Sequence, residues 1–308
     1  MRDLLTRFTE LFLILAASLF FCATTRAQEA TTEPAPATQH SANAMKVGWV
    51  VSQSTFEYPQ GHGAGARFDS VTAIHKRFVD PDIELFALIE PGTESNEDIA
   101  TVVRENFEAD HVINGADPAE LAKLDVIVCS RAWSVKDDML EAITKAVEGG
   151  VGLLEHMPIG SGDEASEAAQ KLDLITEPEP YFQRPLTDCR IVSEHPILSG
   201  LRGKLEDGRM QISALHGFRG IVHGTPLIVM EDELNLLGNL DEQGKPKDDK
   251  GAKPPADQKL FCPLFVGELG KGRIVICQWD SLPKAVVEQS KGRFYVHCVQ
   301  WLAKRDVK

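Results

Sequence analysis

Short apolar runs alternate along the first half of the chain with stretches in which apolar residues recur every three or four positions. Four runs of the kind that forms strands covered on both faces lie at residues 46–52, 82–89, 124–130 and 151–156. Helical spacing predicts helices over residues 68–78, 95–107, 118–124 and 134–149. This β-α-β-α order predicts an α/β fold with a doubly wound, mostly parallel sheet and helices on both faces.

The second half of the chain has a less regular pattern. Apolar runs predict strands at residues 189–192, 225–230, 260–269 and 272–279. The glycine-rich turn between the last two predicts an antiparallel hairpin near the C-terminus. A final amphipathic helix is predicted to pack its inner face on the sheet through Phe294, Cys298, Trp301 and Leu302.

The first 27 residues have the pattern of a secretory signal peptide. Arg2 and Arg7 precede an apolar run from Leu11 to Ala23, and small residues suited to cleavage end at Ala27. The run of about 13 residues is shorter than the roughly 20 that a spanning helix needs. We expect cleavage near Ala27, export to the periplasm or beyond the cell, and no stable membrane span after processing. An uncleaved anchor is the alternative.

Two further segments are expected to lie outside the folded core. Residues 28–44 contain no large apolar residue and two prolines, which indicates a disordered linker. Residues 45–308 are then one large domain. Within it, residues 241–258 also lack large apolar residues and are rich in charge, so we expect a mobile insertion between strands.

The charge balance excludes one class of partner. The chain carries a net charge of −14, with 32 basic and 46 acidic residues. Removing the three arginines and two acidic residues of the leader leaves 29 basic and 44 acidic residues, a net charge of −15. Such a surface repels phosphate backbones, and no basic stripe offsets it. We therefore expect no nucleic-acid partner.

The cysteines do not indicate a zinc site or a disulfide scaffold. Five remain after cleavage, and their spacing contains no CxxC pair. We interpret them as buried thiols, because several lie within apolar strand runs or on a helix face. A single disulfide involving Cys189 or Cys262 stays open in an oxidising compartment.

Several motifs follow one another along the chain: Asp-Val-Ile-Val at 125–128, the glycine-rich strand 149–156, the segment 194–201, the strand 267–280 and the closing helix 293–305. Taken in this order, they resemble the ThuA-like (trehalose-utilisation-like) family of the class I glutamine amidotransferase-like superfamily. The resemblance covers about residues 45–305. It implies a flavodoxin-like fold.

The sequence departs from the glutaminases of that superfamily at the two positions that carry their chemistry. Their nucleophilic cysteine follows the strand that here spans residues 151–156, and their catalytic histidine lies near the end of the domain. The corresponding residues are His156 and Trp279. Imidazole is a poor substitute for a thiolate, and indole cannot accept a proton. The resemblance therefore implies a protein that is not a functional glutaminase. An acidic-aromatic motif of many family members is also missing, which weakens the implied link to sugars.

Polar residues at strand ends define the candidate site, since ligands of open α/β sheets bind there. His156 is the candidate acid, base or metal ligand, with Glu155 orienting its ring and Asp280 in support. The expected ligand-binding residues are His62, Arg131, Trp133, Gln278 and Trp279. Each also has a structural interpretation: His156 could bond backbone carbonyls, Asp280 could cap a turn, and Trp133 could cover the core.

Three hypotheses for function follow. The first is an exported protein that binds a small polar ligand, such as a carbohydrate, at the strand ends. The second is a hydrolase or isomerase acting on a sugar derivative, with His156 as general acid/base. The third is a non-catalytic interaction module that kept the fold. No cofactor is predicted, and a divalent metal bound through His156 stays open.

Overall fold

A computed structural model describes a core of the chain that begins just ahead of the first strand. The described residues are 40–52, 82–93, 99, 101, 103, 109–130, 135–156, 170–172, 174–183, 187–199, 208–230, 259–281 and 293–307. The predicted signal peptide, most of the predicted linker, the helix at 68–78 and the insertion at 241–258 lie outside these residues.

The elements follow one another along the chain in this order: β1 (Met45–Val51), β2 (Ile83–Ile89), β3 (His111–Asn114), α1 (Pro118–Leu121), β4 (Val126–Ser130), α2 (Asp137–Gly149), β5 (Gly152–His156), β6 (Ile175–Gln183), β7 (Thr187–Ile191), a 3-10 helix (Pro196–Leu198), β8 (Arg209–Val222), β9 (Thr225–Met230), β10 (Leu264–Leu269), β11 (Gly272–Cys277), β12 (Trp279–Ser281) and α3 (Arg293–Leu302). Residues 99, 101 and 103 are also helical, within the helix predicted at 95–107.

Six strands form the parallel part of the sheet. Their order is β3-β2-β1-β4-β5-β11, and every neighbouring pair runs parallel. Their carboxyl ends therefore meet at one edge, which we call the carboxyl edge. The predicted α/β class and parallel sheet are confirmed.

The central strands are apolar because the sheet is covered on both sides. In β1, six of seven residues are buried, and Val47, Trp49 and Val51 alternate with Gly48 and Val50. One set packs with α3, through Phe294, Tyr295 and Cys298. The other set packs with α2, through Met139 and Ile143. We name the two sides of the sheet the α3 face and the α2 face.

The end of α2 agrees with its sequence signals. The helix ends at Gly149, and Gly150 follows with φ = +123°, a backbone conformation that residues with a Cβ rarely adopt. At its start the backbone N–H of Lys136 donates to Glu90 Oε1 at 2.6 Å. A side chain from the end of β2 thus bonds the first turn of the helix. Ser134, which the sequence offers as a capping residue ahead of this helix, lies outside the described residues.

Beyond β11 the sheet continues with antiparallel strands in the order β10-β9-β7-β8-β12, and β6 pairs with β8. The predicted hairpin of β10 and β11 is confirmed, with Leu269 opposite Gly272. The antiparallel part is larger than predicted, because β6 and β8 were not recognised. β6 has the sequence ITEPEPYFQ, whose prolines and acidic residues are uncommon in strands, so its sequence did not indicate one. Prolines are tolerated there because β6 pairs with β8 on one side only.

None of the helices among the described residues is long and apolar enough to cross a membrane.

Candidate functional site

Four buried polar side chains lie at the carboxyl edge, at the ends of three strands of the parallel sheet. Ser52 follows β1, Glu90 follows β2, and Glu155 and His156 end β5. Each is at most 2% exposed. Burying such groups is unfavourable unless each has a hydrogen-bond partner. Their contacts therefore show which of them are used within the protein and which could bind a ligand.

The sheet divides these groups between its two faces. Successive side chains of a strand point to opposite sides. Leu154, whose neighbours include α3, alternates with Leu153, whose neighbours include α2. His156 therefore shares the α3 face with Leu154, and Glu155 shares the α2 face with Leu153. The expected pairing of Glu155 with His156 is not formed.

On the α3 face, His156 bonds a tyrosine instead. Its Nε2 lies 3.0 Å from the hydroxyl of Tyr295, and the two rings meet edge to face at 5.4 Å. The same hydroxyl accepts a hydrogen bond of 3.2 Å from the indole N–H of Trp279. His156 is 1% exposed and Trp279 is fully buried. These three side chains form a buried polar chain that links β5, β12 and α3.

Gln278 is also committed to structural contacts. Its side-chain oxygen accepts from the N–H of Phe218 at 2.8 Å. Its side-chain N–H groups donate to the carbonyls of Phe218, at 3.2 Å, and of Cys262, at 3.0 Å. The amide thus joins β8 to the segment that leads into β10, and its bonding capacity is used within the protein.

On the α2 face, Glu155 has a different environment. Its Oε1 is buried and has no hydrogen-bond partner among the described residues. Its partners across the sheet are Cys129 of β4 and Ile276 of β11, which cannot compensate a carboxylate. Burial raises the pKa of Glu155 from 4.5 to about 7. Near neutral pH this group can therefore either donate or accept a proton.

Ser52 and Glu90 belong to the same face as Glu155 and lie nearer to the end of the sheet. Val51 pairs with Ile89, so Ser52 and Glu90 stand side by side just beyond these strands. Glu155 pairs with Cys129, one pleat lower in the sheet. The sequence analysis missed both residues, although each directly follows an apolar strand run.

The Cys129 thiol, beside Glu155, is not an activated nucleophile. Burial, and to a smaller extent the charge of Glu155, raise its pKa well above the ordinary value. The five cysteines of the described residues are all buried and none forms a disulfide there, as expected for thiols that act as small apolar side chains.

The other expected site residues are placed only in part. His62, Arg131 and Trp133 lie outside the described residues. Asp280 belongs to β12, and the structure describes its backbone alone. Among the described residues, no three His, Cys, Asp or Glu side chains are arranged to hold a metal ion.

A cavity of about 420 Å³ opens at the opposite, amino edge of the sheet. It is lined by the ends of α1, α2 and α3 and the beginnings of β4 and β5, and thus lies away from Glu155. The ammonium group of Lys304 bonds carbonyls there, at 3.3 Å from Gly150 O and 2.8 Å from Lys271 O. The carbonyl of Gly150, directly after α2, thus already bonds a cation of the protein itself.

No family model matches the sequence, and no curated protein matches it. Solved structures with a similar arrangement include a ThuA-like protein from Bacteroides uniformis ATCC 8492, with a TM-score of 0.48 at 11% identity over 87% of this chain and 96% of that one. A cytoplasmic protein from Salmonella typhimurium LT2 has a TM-score of 0.48 at 13% identity over 84% and 99%.

A GH42 β-galactosidase from G. stearothermophilus is also similar, with a TM-score of 0.46 at 12% identity over 85% of this chain. This chain spans only 31% of the length of that enzyme. Similarities at these identities and TM-scores do not establish a shared family or activity.

Proposed function

We propose that this chain is an exported ThuA-like protein that binds a small, neutral, hydroxyl-rich ligand, a carbohydrate or a derivative of one, at the carboxyl edge. The single observation that carries the proposal is the buried carboxyl group of Glu155, whose Oε1 has no partner among the described residues. A buried polar group without a partner is costly, and such groups concentrate at functional sites.

The chemistry of Glu155 favours a ligand that donates hydrogen bonds. An ionised carboxylate only accepts, and the hydroxyl groups of a sugar supply the donors. The net charge of −14 and the carboxyl groups of Glu90 and Glu155 both disfavour an anionic ligand. Neutral sugars are therefore favoured over sugar phosphates and sugar acids.

The contacts of His156 favour binding over catalysis by that residue. Its Nε2 lies 3.0 Å from the hydroxyl of Tyr295 and is thus already hydrogen-bonded within the protein. A general acid/base must reach the reacting group of the substrate. His156 is also not a thiol nucleophile, and the buried indole of Trp279 cannot act as a base, so glutamine hydrolysis is not expected.

The test is a binding measurement on the full chain by saturation-transfer NMR and titration calorimetry. The probes are glucose, galactose and trehalose, compared with glucuronic acid and glucose 6-phosphate. We expect neutral sugars to bind and the anionic ones not to bind. Glu155→Gln should weaken binding roughly 10- to 100-fold, because a hydrogen bond to a charged group contributes about 1.5–3 kcal/mol.

The pH dependence and a charge-matched control sharpen the test. Hydroxyl donors bond the carboxylate form, so affinity for neutral sugars should rise between pH 6 and pH 8, across the pKa of about 7 of Glu155. Glu148→Gln, at an exposed position of α2, should leave affinity and its pH dependence unchanged. The proposal is contradicted if no neutral sugar binds, or if Glu155→Gln binds as the wild type does.

A further inference from the structure

A histidine immediately ahead of β1 lies between two carboxylates at the amino edge of the sheet. His40 Nδ1 is 2.9 Å from Asp82 Oδ1, in a hydrogen bond. His40 Nε2 is 3.1 Å from Asp110 Oδ1, an ion-pair distance without hydrogen-bond alignment. Asp82 directly precedes β2, and Asp110 directly precedes β3. One ring therefore contacts the entrances of two neighbouring parallel strands.

The backbone fixes both carboxylates in place. Asp82 Oδ2 accepts from the N–H of Ser41 at 2.7 Å. Asp110 Oδ2 accepts from the N–H of Leu85 at 2.8 Å, and the N–H of Asp110 donates to the carbonyl of Leu85 at 2.9 Å. Asp110 is thus held on the sheet by Leu85 whether or not His40 is present, whereas the second oxygen of Asp82 bonds the same short segment that carries His40.

Only the protonated ring suits this position. A neutral imidazole has one N–H, so its other nitrogen would present a lone pair to a carboxylate oxygen. The imidazolium ion has an N–H on each nitrogen and a positive charge between two negative ones. The carboxylates of Asp110 and then Asp82 raise the pKa of His40 above 6.5, against a smaller opposing effect of burial.

We propose that His40, Asp82 and Asp110 form a proton-operated clasp. The clasp fastens residues 40–41 to the entrances of β2 and β3 while the imidazole is protonated, and releases them when it is neutral. Asp82 and Asp110 are the charged groups that face His40 from the described elements packed against it.

The release is limited to the residues ahead of Asn43. Arg305 donates to the carbonyls of Asn43, at 2.7 Å, and of Ala44, at 3.2 Å. A guanidinium group stays charged throughout the pH range of the clasp. Opening of the clasp therefore releases residues 40–41 and leaves β1 paired in the sheet. It is independent of the ligand site at the carboxyl edge.

The pH range over which the clasp is closed follows from the pKa shifts of His40 and Asp82. A histidine whose pKa is raised by folding contributes stability in full below its unfolded value of 6.5, and the contribution is lost as pH rises through the raised pKa. On the acid side, hydrogen bonds from Ser41 and then from His40 lower the pKa of Asp82 to about 2. The clasp is therefore closed in weak acid and opens as pH rises through the pKa of His40, which lies above 6.5.

The test uses the full chain with isotope-labelled histidine. We expect an NMR titration of the His40 ring with a midpoint above 6.5, and a fall in the hydrogen-exchange protection of the Ser41 amide at the same midpoint. Asp110→Asn keeps an oxygen for the Leu85 N–H but removes one charge, so it should lower both midpoints. Glu148→Gln removes a charge from an exposed part of α2 and should move neither.

Two results would overturn the clasp. One is a His40 midpoint at or below 6.5 in the wild-type chain. The other is protection of Ser41 that stays constant while His40 titrates. If Asp110→Asn perturbs the fold, which the remaining amide spectrum reports, Asp82→Asn tests the other contact of the ring and should likewise lower the His40 midpoint.

Discussion

Glu155 carries a carboxyl group that folding removes from water without supplying a partner for Oε1 within the described residues. Burial is the cause that raises its pKa from 4.5 to about 7. The folded protein therefore holds this proton more tightly than the unfolded chain does. As pH rises from 4.5 through 7, the native state loses about 3 kcal/mol of stability relative to a chain without this group.

Glu155→Gln removes that titration and keeps the size of the side chain. We expect its free energy of unfolding to exceed the wild-type value by an amount that grows from pH 5 to pH 8, toward about 3 kcal/mol. Urea denaturation at several pH values measures the difference. Glu148→Gln, an exposed change of the same kind, should show no such trend. A difference for Glu155→Gln that is independent of pH would contradict the environment described for Glu155.

At the carboxyl edge, the positions of residues in their strands could be predicted from the sequence, but their contacts could not. The position of His156 at the end of its strand follows from the apolar run before it, and the structure has β5 ending there. The period of two in a strand already separates Glu155 from His156. The partner of His156 is Tyr295, which lies 139 positions away in the sequence. No local pattern predicts such a contact.

The packing of α3 on β5 depends on a glycine at the start of the strand. A Cβ atom on Gly152 would lie 2.6 Å from Leu302 Cβ and 2.8 Å from the carbonyl oxygen of Leu302. Real Cβ atoms do not approach backbone so closely, so α3 would have to move. The strand therefore needs glycine because the end of a helix lies directly against it.

Gly152→Ala should destabilise the protein by about 1–3 kcal/mol, the range for overpacking a closed contact. Gly149→Ala is the matched control, because a Cβ there meets no atom within 4 Å and alanine is the better helix former. We expect Gly149→Ala to be neutral or slightly stabilising. Thermal and urea unfolding compare the two. Equal effects of both changes would contradict the contact between β5 and α3.

The elements predicted best from the sequence are the strands buried on both faces, because burial determines their apolar pattern. The parallel strands β1, β2, β4 and β5 are mainly apolar because neighbours cover both faces. β8 has the sequence RMQISALHGFRGIV, in which polar residues and glycines interrupt the apolar positions. It pairs with β6, β7 and β12 along different parts of its length. Its burial therefore changes along the strand, and no single period describes it.

The two edges of the parallel sheet have different roles in this account. The amino edge holds charged groups that are paired within the protein, such as His40 with Asp82 and Lys304 with backbone carbonyls. The carboxyl edge holds Glu155, whose Oε1 is unpaired within the described residues. The order of strands and helices was enough to predict that Glu155 and His156 lie at the carboxyl edge. It could not predict which face of that edge carries the unpaired group, since that depends on neighbours brought together by folding.

The ionisation of Glu155 can be measured directly by a ¹³C NMR titration of its side-chain carboxyl group in the full chain. Comparison with Glu155→Gln assigns the signal. We expect a midpoint near 7 in the free protein, and a lower midpoint when a neutral sugar donates hydrogen bonds to the carboxylate. A midpoint near 4.5 in the free protein would contradict this expectation, because the group would then be solvated or already paired.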